Sequence, residues 1–236
     1  HKALMRKFKT LFWISCFIFL TFFPQEEAIS IETKEDTFGL NLVRSLGGNS
    51  QVRREVALTF DDAPSPFTKE VLKILDNYGV SATFFLVGSQ VEKSPEVARQ
   101  IVAAGHEIGN HSFSHCWSSD DSVETLVEDI KRAEEAIYRA TGQVPLYFRP
   151  PGGMVNDKVK EACGQTGYGI LLWWVDSRDW LLTEEEILEK VKKEVKDGAI
   201  ILFHNLATTV EVLPQVIEDL RREGYKFVTI SQLLRY

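Results

Sequence analysis

The chain has 236 residues, 44% of them hydrophobic and 26% charged, and a formal net charge of −7. That length and composition suit one large globular domain and exclude a disordered or collagen-like chain. Four of the 27 basic residues and two of the 34 acidic ones fall in residues 1–28, leaving 23 against 32 and a net charge of −9 in the remainder. An acidic body of this kind gives no electrostatic footing to a nucleic-acid face, so no nucleic-acid partner is expected.

In chain order, Lys2, Arg6, Lys7 and Lys9 precede an apolar run from Leu11 to Phe23. Basic residues followed by a short apolar run are the pattern of an export signal. The run is shorter than the roughly 20 residues of a membrane span, and no small-x-small cleavage site follows it. Residues 1–28 therefore read as a signal peptide or an N-terminal membrane anchor, and the expected location is secreted or cell-envelope. Residues 29–53 are polar, with Gly47-Gly48-Asn49-Ser50, and read as a linker. The main domain runs over 54–236. Of three cysteines, Cys16 lies in the export segment, and Cys116 and Cys163 lack metal-type spacing. They read as two lone thiols, although one disulfide is arithmetically open.

Within the main domain, apolar strand-like runs alternate with helical stripes. Strands are expected over 55–60, 82–87, 106–110, 146–148, 168–175, 199–203 and 226–229. Helices are expected over 67–78, from Pro95 to Gly105, from a capping pair at Asp121 and Glu124 to Gly142, over 156–165, from the capping pair Thr183 and Glu186 to before Gly198, and over 210–222. Repeated strand–helix units imply a mainly parallel sheet closed, or nearly closed, into a barrel of about seven strands.

In such folds, chemistry sits where the strands end, because the loops there converge on one place. Asp61-Asp62 follow the first expected strand, His111 and His115 the third, Arg149 the fourth, Asp176 and Asp179 the fifth, and His204 the sixth. Taken singly, each has an ordinary reading: a turn, a surface histidine, a salt bridge, a sheet-edge cap. Together they fall on one rim, which structural residues scattered over both rims would not do. His111 and His115, spaced i, i+4, read as two imidazoles on one side of a helical turn. With a carboxylate from the first strand they make a His-His-Asp set with open positions, which suits a catalytic zinc. The second Asp is then free to act as a base, and His204 suits a general acid with Asp179 to orient it. Arg149 would hold Asp61 ionised.

Five motifs in order, Thr59-Phe60-Asp61-Asp62, His111-Ser112-Phe113-Ser114-His115, Arg149-Pro150-Pro151-Gly152-Gly153, Asp176-Ser177-Arg178-Asp179-Trp180 and Leu202-Phe203-His204, resemble the polysaccharide deacetylase family, carbohydrate esterase family four. The resemblance covers about residue 54 to the C-terminus. It implies an α/β fold, a distorted seven-stranded (β/α) barrel, and metal-dependent removal of N-acetyl groups from a glycan such as peptidoglycan or chitooligosaccharide. Carried over by position, it makes Asp61 the general base and Asp62, His111 and His115 the metal ligands. It makes His204 the general acid, Asp179 its tuning partner and Arg149 the clamp on Asp61. Pro151, Gly152 and Trp180 would lie on the oxyanion and substrate side. The implied cofactor is a divalent metal, zinc first with cobalt or nickel as alternatives, and the implied partner is an acetylated glycan met by a monomer. O-deacetylation of a xylan-type glycan and a non-catalytic glycan-binding domain are the other readings. Three positions depart from the family pattern. Ala63 stands where glycine is usual, so the turn must avoid positive φ or carry strain. Gly152 stands where many members have tyrosine, and Asn205 where aspartate is frequent.

Overall fold

The apolar run that opens the main domain forms β3 (Glu55–Ala63), whose residues from Val56 to Phe60 are completely or almost completely buried. Both of its faces are covered, Val56, Leu58 and Phe60 packing into one apolar cluster and Ala57 into another, which explains why the run is apolar rather than alternating. The computed structural model describes residues 53–234 and two short strands before them, β1 (Ile31–Glu35) and β2 (Asn41–Leu46). These two pair antiparallel, so part of the stretch expected to be irregular linker is a hairpin. The export segment lies outside the described residues. No described helix is long and apolar enough to cross a membrane.

After β3 come α1 (Thr68–Tyr78), β4 (Thr83–Leu86), α2 (Gly88–Lys93), α3 (Pro95–Ala103) and β5 (Glu107–Asn110). Next are α4 (Val123–Thr141), β6 (Tyr147–Phe148), a 3-10 turn (Pro151–Gly153), α5 (Asp157–Thr166), β7 (Gly169–Ile170) and β8 (Val175–Asp176). The chain continues through α6 (Glu184–Glu194), β9 (Ile200–His204), α7 (Ala207–Arg222), β10 (Lys226–Phe227) and α8 (Ile230–Leu234). Seven strands run parallel in the order β7-β6-β5-β4-β3-β9-β8, curled into a distorted barrel, and β10 pairs with the start of β3. The core beneath is aromatic at its centre, where Phe60 stacks on Phe84 with ring centroids 5.0 Å apart and on Phe203 at 6.0 Å.

Four local expectations are corrected. The run over 168–175 is two strands, β7 and β8, at opposite edges of the sheet, with residues 171–174 crossing the opening between them. The carbonyls of Leu171 and Leu172 there accept from the Arg149 side chain, at 3.2 and 3.1 Å, instead of joining a ladder. The cap of α4 is Ser122, whose Oγ accepts from the Thr125 N–H at 3.2 Å; Asp121 instead accepts from the Ser118 N–H. The expected capping box at Thr183 and Glu186 is present on α6. Helix α2 was not foreseen, being only six residues that begin at Gly88 and are separated from α3 by Ser94 alone. His111 to His115 is a loop rather than a helical turn, with left-handed backbone at Ser112 (φ 68) and His115 (φ 55). Cys116 is exposed and Cys163 buried, both as free thiols, with burial pushing the Cys163 thiol up to about 12.

Candidate active site

The parallel register delivers the site. β3 and β9 pair so that Asp61 stands opposite His204, and β4 and β5 pair so that Leu86 stands opposite Asn110, the residue before His111. The Ala63 backbone stays extended, pairs with Leu86 and buries its methyl group in the core. The left-handed residue is its neighbour Asp62, φ 63, which turns that carboxylate away from the strand. Aspartate tolerates this region better than most side chains.

Asp61 is 3% exposed and its Oδ1 accepts from Arg149 Nη1 at 2.8 Å. Arg149 is itself fully buried, and its remaining donors go to Thr59 Oγ1 and the carbonyls of Leu171 and Leu172, with the Phe85 ring beneath the guanidinium. A buried charge of this kind survives only when fully hydrogen-bonded and paired, as it is here. Burial pushes the Asp61 carboxyl up, but the Arg149 guanidinium, with His111 and His204, outweighs it, so the carboxyl lies below its ordinary 3.8.

Asp62, His111 and His115 form a second centre, with one ligand-type atom from each within 4.8 Å of the others. His111 Nδ1 is 2.6 Å from the Arg149 carbonyl oxygen, so that nitrogen carries the proton and donates. Its Nε2 therefore presents a lone pair toward Asp62 Oδ1, 3.6 Å away. Burial lowers the His111 pKa against the pull of Asp61 and Asp62, keeping the ring neutral. His115 Nε2 approaches the same oxygen at 3.1 Å, yet Asp62 Oδ1 is a buried atom with no hydrogen bond. Two imidazole nitrogens and a carboxylate oxygen gathered around one point could hold a cation, and the residue types fit zinc with positions left open.

His204 is held on the other side. Asp179, 1% exposed, accepts from its backbone N–H at 2.6 Å and from Nδ1 at 2.8 Å, and also from the Thr209 hydroxyl at 2.5 Å. Burial works to lower the His204 pKa, but Asp179, Asp61 and Asp62 overcome it and push it up to about 9. At neutral pH the ring is an imidazolium with Nε2–H free for the cavity. Asn205 donates from Nδ2 to the Asp61 carbonyl oxygen at 2.8 Å, a bond that an ionised aspartate could not make.

Asp61, Asp62, His111, His115 and His204 line a cavity of about 310 Å³ that also includes Gly152, Trp173, Trp180 and Leu206. Two more cavities abut it. One of about 380 Å³ lies past Asp62 and His115, with Phe67 and Gln90 in its wall, and one of about 310 Å³ lies past Gly152 and Trp173 toward Trp174. Pro151 is not in the lining; it is buried and begins the turn that presents Gly152. Asp176 lies in the Trp174 cavity and not in the central one with Asp61 and His204. Gly152 needs its lack of side chain for conformation alone, φ 61, with open space where a Cβ would be. Thr59, Thr209, Trp173 and the structural part of Asn205 were not foreseen. Only Thr59, inside the first motif, carried a positional signal.

A family model described as polysaccharide deacetylase matches residues 48–171. The chain belongs to the polysaccharide deacetylase family. Among curated family members, a peptidoglycan-N-acetylglucosamine deacetylase of Bacillus cereus is 41% identical over 77% of this chain and 88% of its own length. The peptidoglycan-N-acetylmuramic acid deacetylase PdaC of Bacillus subtilis is 34% identical over 89% of this chain, which spans only 42% of PdaC. Among solved structures, BA3943 of Bacillus anthracis, described as a CE4 family pseudoenzyme, superposes with a TM-score of 0.76 at 31% identity, covering 82% of this chain and 68% of that one.

Proposed function

We propose that this protein is a metal-dependent hydrolase that removes N-acetyl groups from a glycan of the peptidoglycan or chitooligosaccharide type, outside the cytoplasm. The observation that carries the reading is the separation of two adjacent carboxylates into different surroundings. Asp61 is clamped by a buried guanidinium, while Asp62 is turned by its left-handed backbone toward two imidazoles. One carboxylate is equipped to take a proton and the other to hold a cation. The relatives named for N-acetylglucosamine and N-acetylmuramic acid support a peptidoglycan substrate. The two cavities flanking the central one support a polymer rather than a small acetylated molecule. Residues 1–28 supply the export signal or anchor in this reading, 29–53 the linker and 54–236 the catalytic domain.

Asp62, His111 and His115 would hold the cation, zinc first, and a cation there supplies Lewis acidity that makes water easier to deprotonate and the acetyl carbonyl easier to attack. Asp61, ionised by Arg149, accepts the proton of the attacking water. The Gly152 N–H, on the cavity wall, stabilises charge developing on the acetyl oxygen. His204 gives its Nε2 proton to the sugar nitrogen as the C–N bond breaks, and acetate leaves. Trp180, 61% exposed at the cavity edge, offers an aromatic face to the sugar ring.

The pseudoenzyme relative shows that the fold alone does not secure turnover. Here Asp61, Asp62, His111, His115 and His204, with Arg149 and Asp179 behind them, are all present, which supports turnover. The test is acetate release from peptidoglycan, chitooligosaccharide and acetylxylan with zinc or cobalt, for wild type and Asp61→Asn. The variant is expected to keep its metal and lose turnover by about 10²–10⁴-fold. Retention of most activity by Asp61→Asn would overturn the assignment of base and ligand. Release from acetylxylan alone would make the protein an O-deacetylase, and binding without release would make it a scaffold.

A further inference from the structure

The loop that joins His111 to His115 has to place an exposed side chain without secondary structure to hold it. His115 has a side chain 39% exposed, a left-handed backbone, and a ring nitrogen 3.1 Å from Asp62. Ser112, three residues before it, is also left-handed. Two such residues cost of order 1–3 kcal/mol each and persist only where their surroundings over-determine them. The Ser112 N–H donates to Asn110 Oδ1 at 2.9 Å, the His115 N–H donates to Ser112 Oγ at 3.0 Å, and the Ser112 and Phe113 carbonyls accept from the Gly88 and Ser89 N–H groups, while from α4 the loop is held by one carboxylate. Asp129, on α4, accepts from the Phe113 N–H at 2.9 Å and the Trp117 indole N–H at 3.0 Å through Oδ2, and from the Ser114 N–H at 3.1 Å through Oδ1. Two of these donors lie between the histidines and the third lies two residues beyond His115. The Arg132 guanidinium, one turn along the same helix, stacks over the Phe113 ring at 3.6 Å and adds a contact but no hydrogen bond to the loop backbone.

We propose that Asp129 is a positioning residue for the His111–His115 metal-holding loop. Both of its oxygens are needed, because they fix successive backbone N–H groups, and with them the direction in which His115 leaves the loop. The reason for a carboxylate is that three donors must be satisfied by one side chain, and an amide of the same shape offers only one acceptor oxygen. Removing Asp129 leaves His111 in place, since that ring is buried and tied to the Arg149 carbonyl, and loosens the Phe113–Trp117 stretch that carries His115, whose N–H then keeps only its bond to Ser112 Oγ. The site then has two firmly held ligands and one loosened. This inference rests on reading Asp62, His111 and His115 as a metal site.

The experiment is titration of the metal-free full chain with Co²⁺, followed by its visible absorption and by calorimetry, for wild type, Asp129→Asn, Asp129→Ala and His115→Ala. Outer groups that orient metal ligands are typically worth about 10–100-fold in affinity, so Asp129→Ala is expected to weaken Co²⁺ binding by that factor, with Asp129→Asn between it and wild type. Acetate release by both variants is expected to recover toward wild type as metal is raised, which a general loss of structure would not allow. If His115→Ala weakens binding and neither Asp129 variant does, the positioning role is wrong while the metal site stands. If His115→Ala leaves binding unchanged, the metal-site reading itself has failed. Asp129→Asn preserves side-chain shape and keeps the test decisive should the alanine variant fail to fold.

Discussion

Asp179 spends both oxygens on His204 and Thr209, so the imidazole it supports is fixed in direction as well as charge. A proton donor with a pKa near 9 is available below that pH and is lost as pH rises through it. Asp179→Asn removes the negative charge that raises the His204 pKa, so the alkaline limb of kcat is expected to move at least about one pH unit lower, with the acidic limb unmoved. A pH–rate profile of acetate release checks this, and an unmoved alkaline limb would mean that His204 is not the acid. The residues of this centre were legible because Asp, His and Arg, each ordinary by itself, fell together at the ends of several strands. Asn205 was legible only as a departure, and its donation to the Asp61 carbonyl could not be read from type or spacing. Of the two outcomes open to Ala63, the turn avoids positive φ there; the left-handed position is its neighbour Asp62, where the turn serves the direction of the carboxylate.

Arg149 links elements as well as residues, since its side chain joins Asp61 on β3 to the carbonyls of the 171–174 crossing and its own carbonyl holds His111 after β5. That explains why the continuous apolar run over 168–175 looked like one strand. Its composition reflects burial, whereas its path is set by a guanidinium 22 residues earlier that no local pattern reveals. Arg149→Met would leave Asp61 buried without a partner and two carbonyls unpaired, a loss of about 3–5 kcal/mol, seen as a lower urea midpoint. Arg149→Lys keeps the charge but lacks the fork that reaches all four partners, so it should recover only part of that loss. The start of α4 offers a smaller test. Ser122→Ala should cost about 1 kcal/mol in urea unfolding, and Asp121→Ala distinctly less, because the cap lies one residue later than the Asp121–Glu124 spacing suggested. The parallel sheet and its near-closed barrel were legible from strand–helix alternation; the two edges, built from the two-residue strands β7 and β8, were not.

At the scale of the whole molecule, acid stability turns on groups that must stay neutral or charged within the core. His106, between α3 and β5, is 7% exposed, lies against the Phe84 ring, and accepts the Ala82 N–H through Nδ1 at 3.2 Å. Burial, opposed weakly by Asp76, lowers its pKa from 6.5 to about 4. Because the folded value lies below the unfolded one, the unfolded chain takes up a proton in this window and the native chain does not. Stability from this group is therefore complete above pH 6.5 and declines as pH falls toward 4. Asp61 acts in a separate window: its folded value lies below 3.8, so its contribution is in place above that pH and disappears only as pH falls further. Urea midpoints of metal-free protein at pH 7.5 and 4.5, in wild type and His106→Gln, separate the two. Wild type should lose stability between these values, and the variant, although weaker at pH 7.5, should lose clearly less. An equal loss in both proteins would assign the acid sensitivity of this window to groups other than His106, with buried His111 the next to replace.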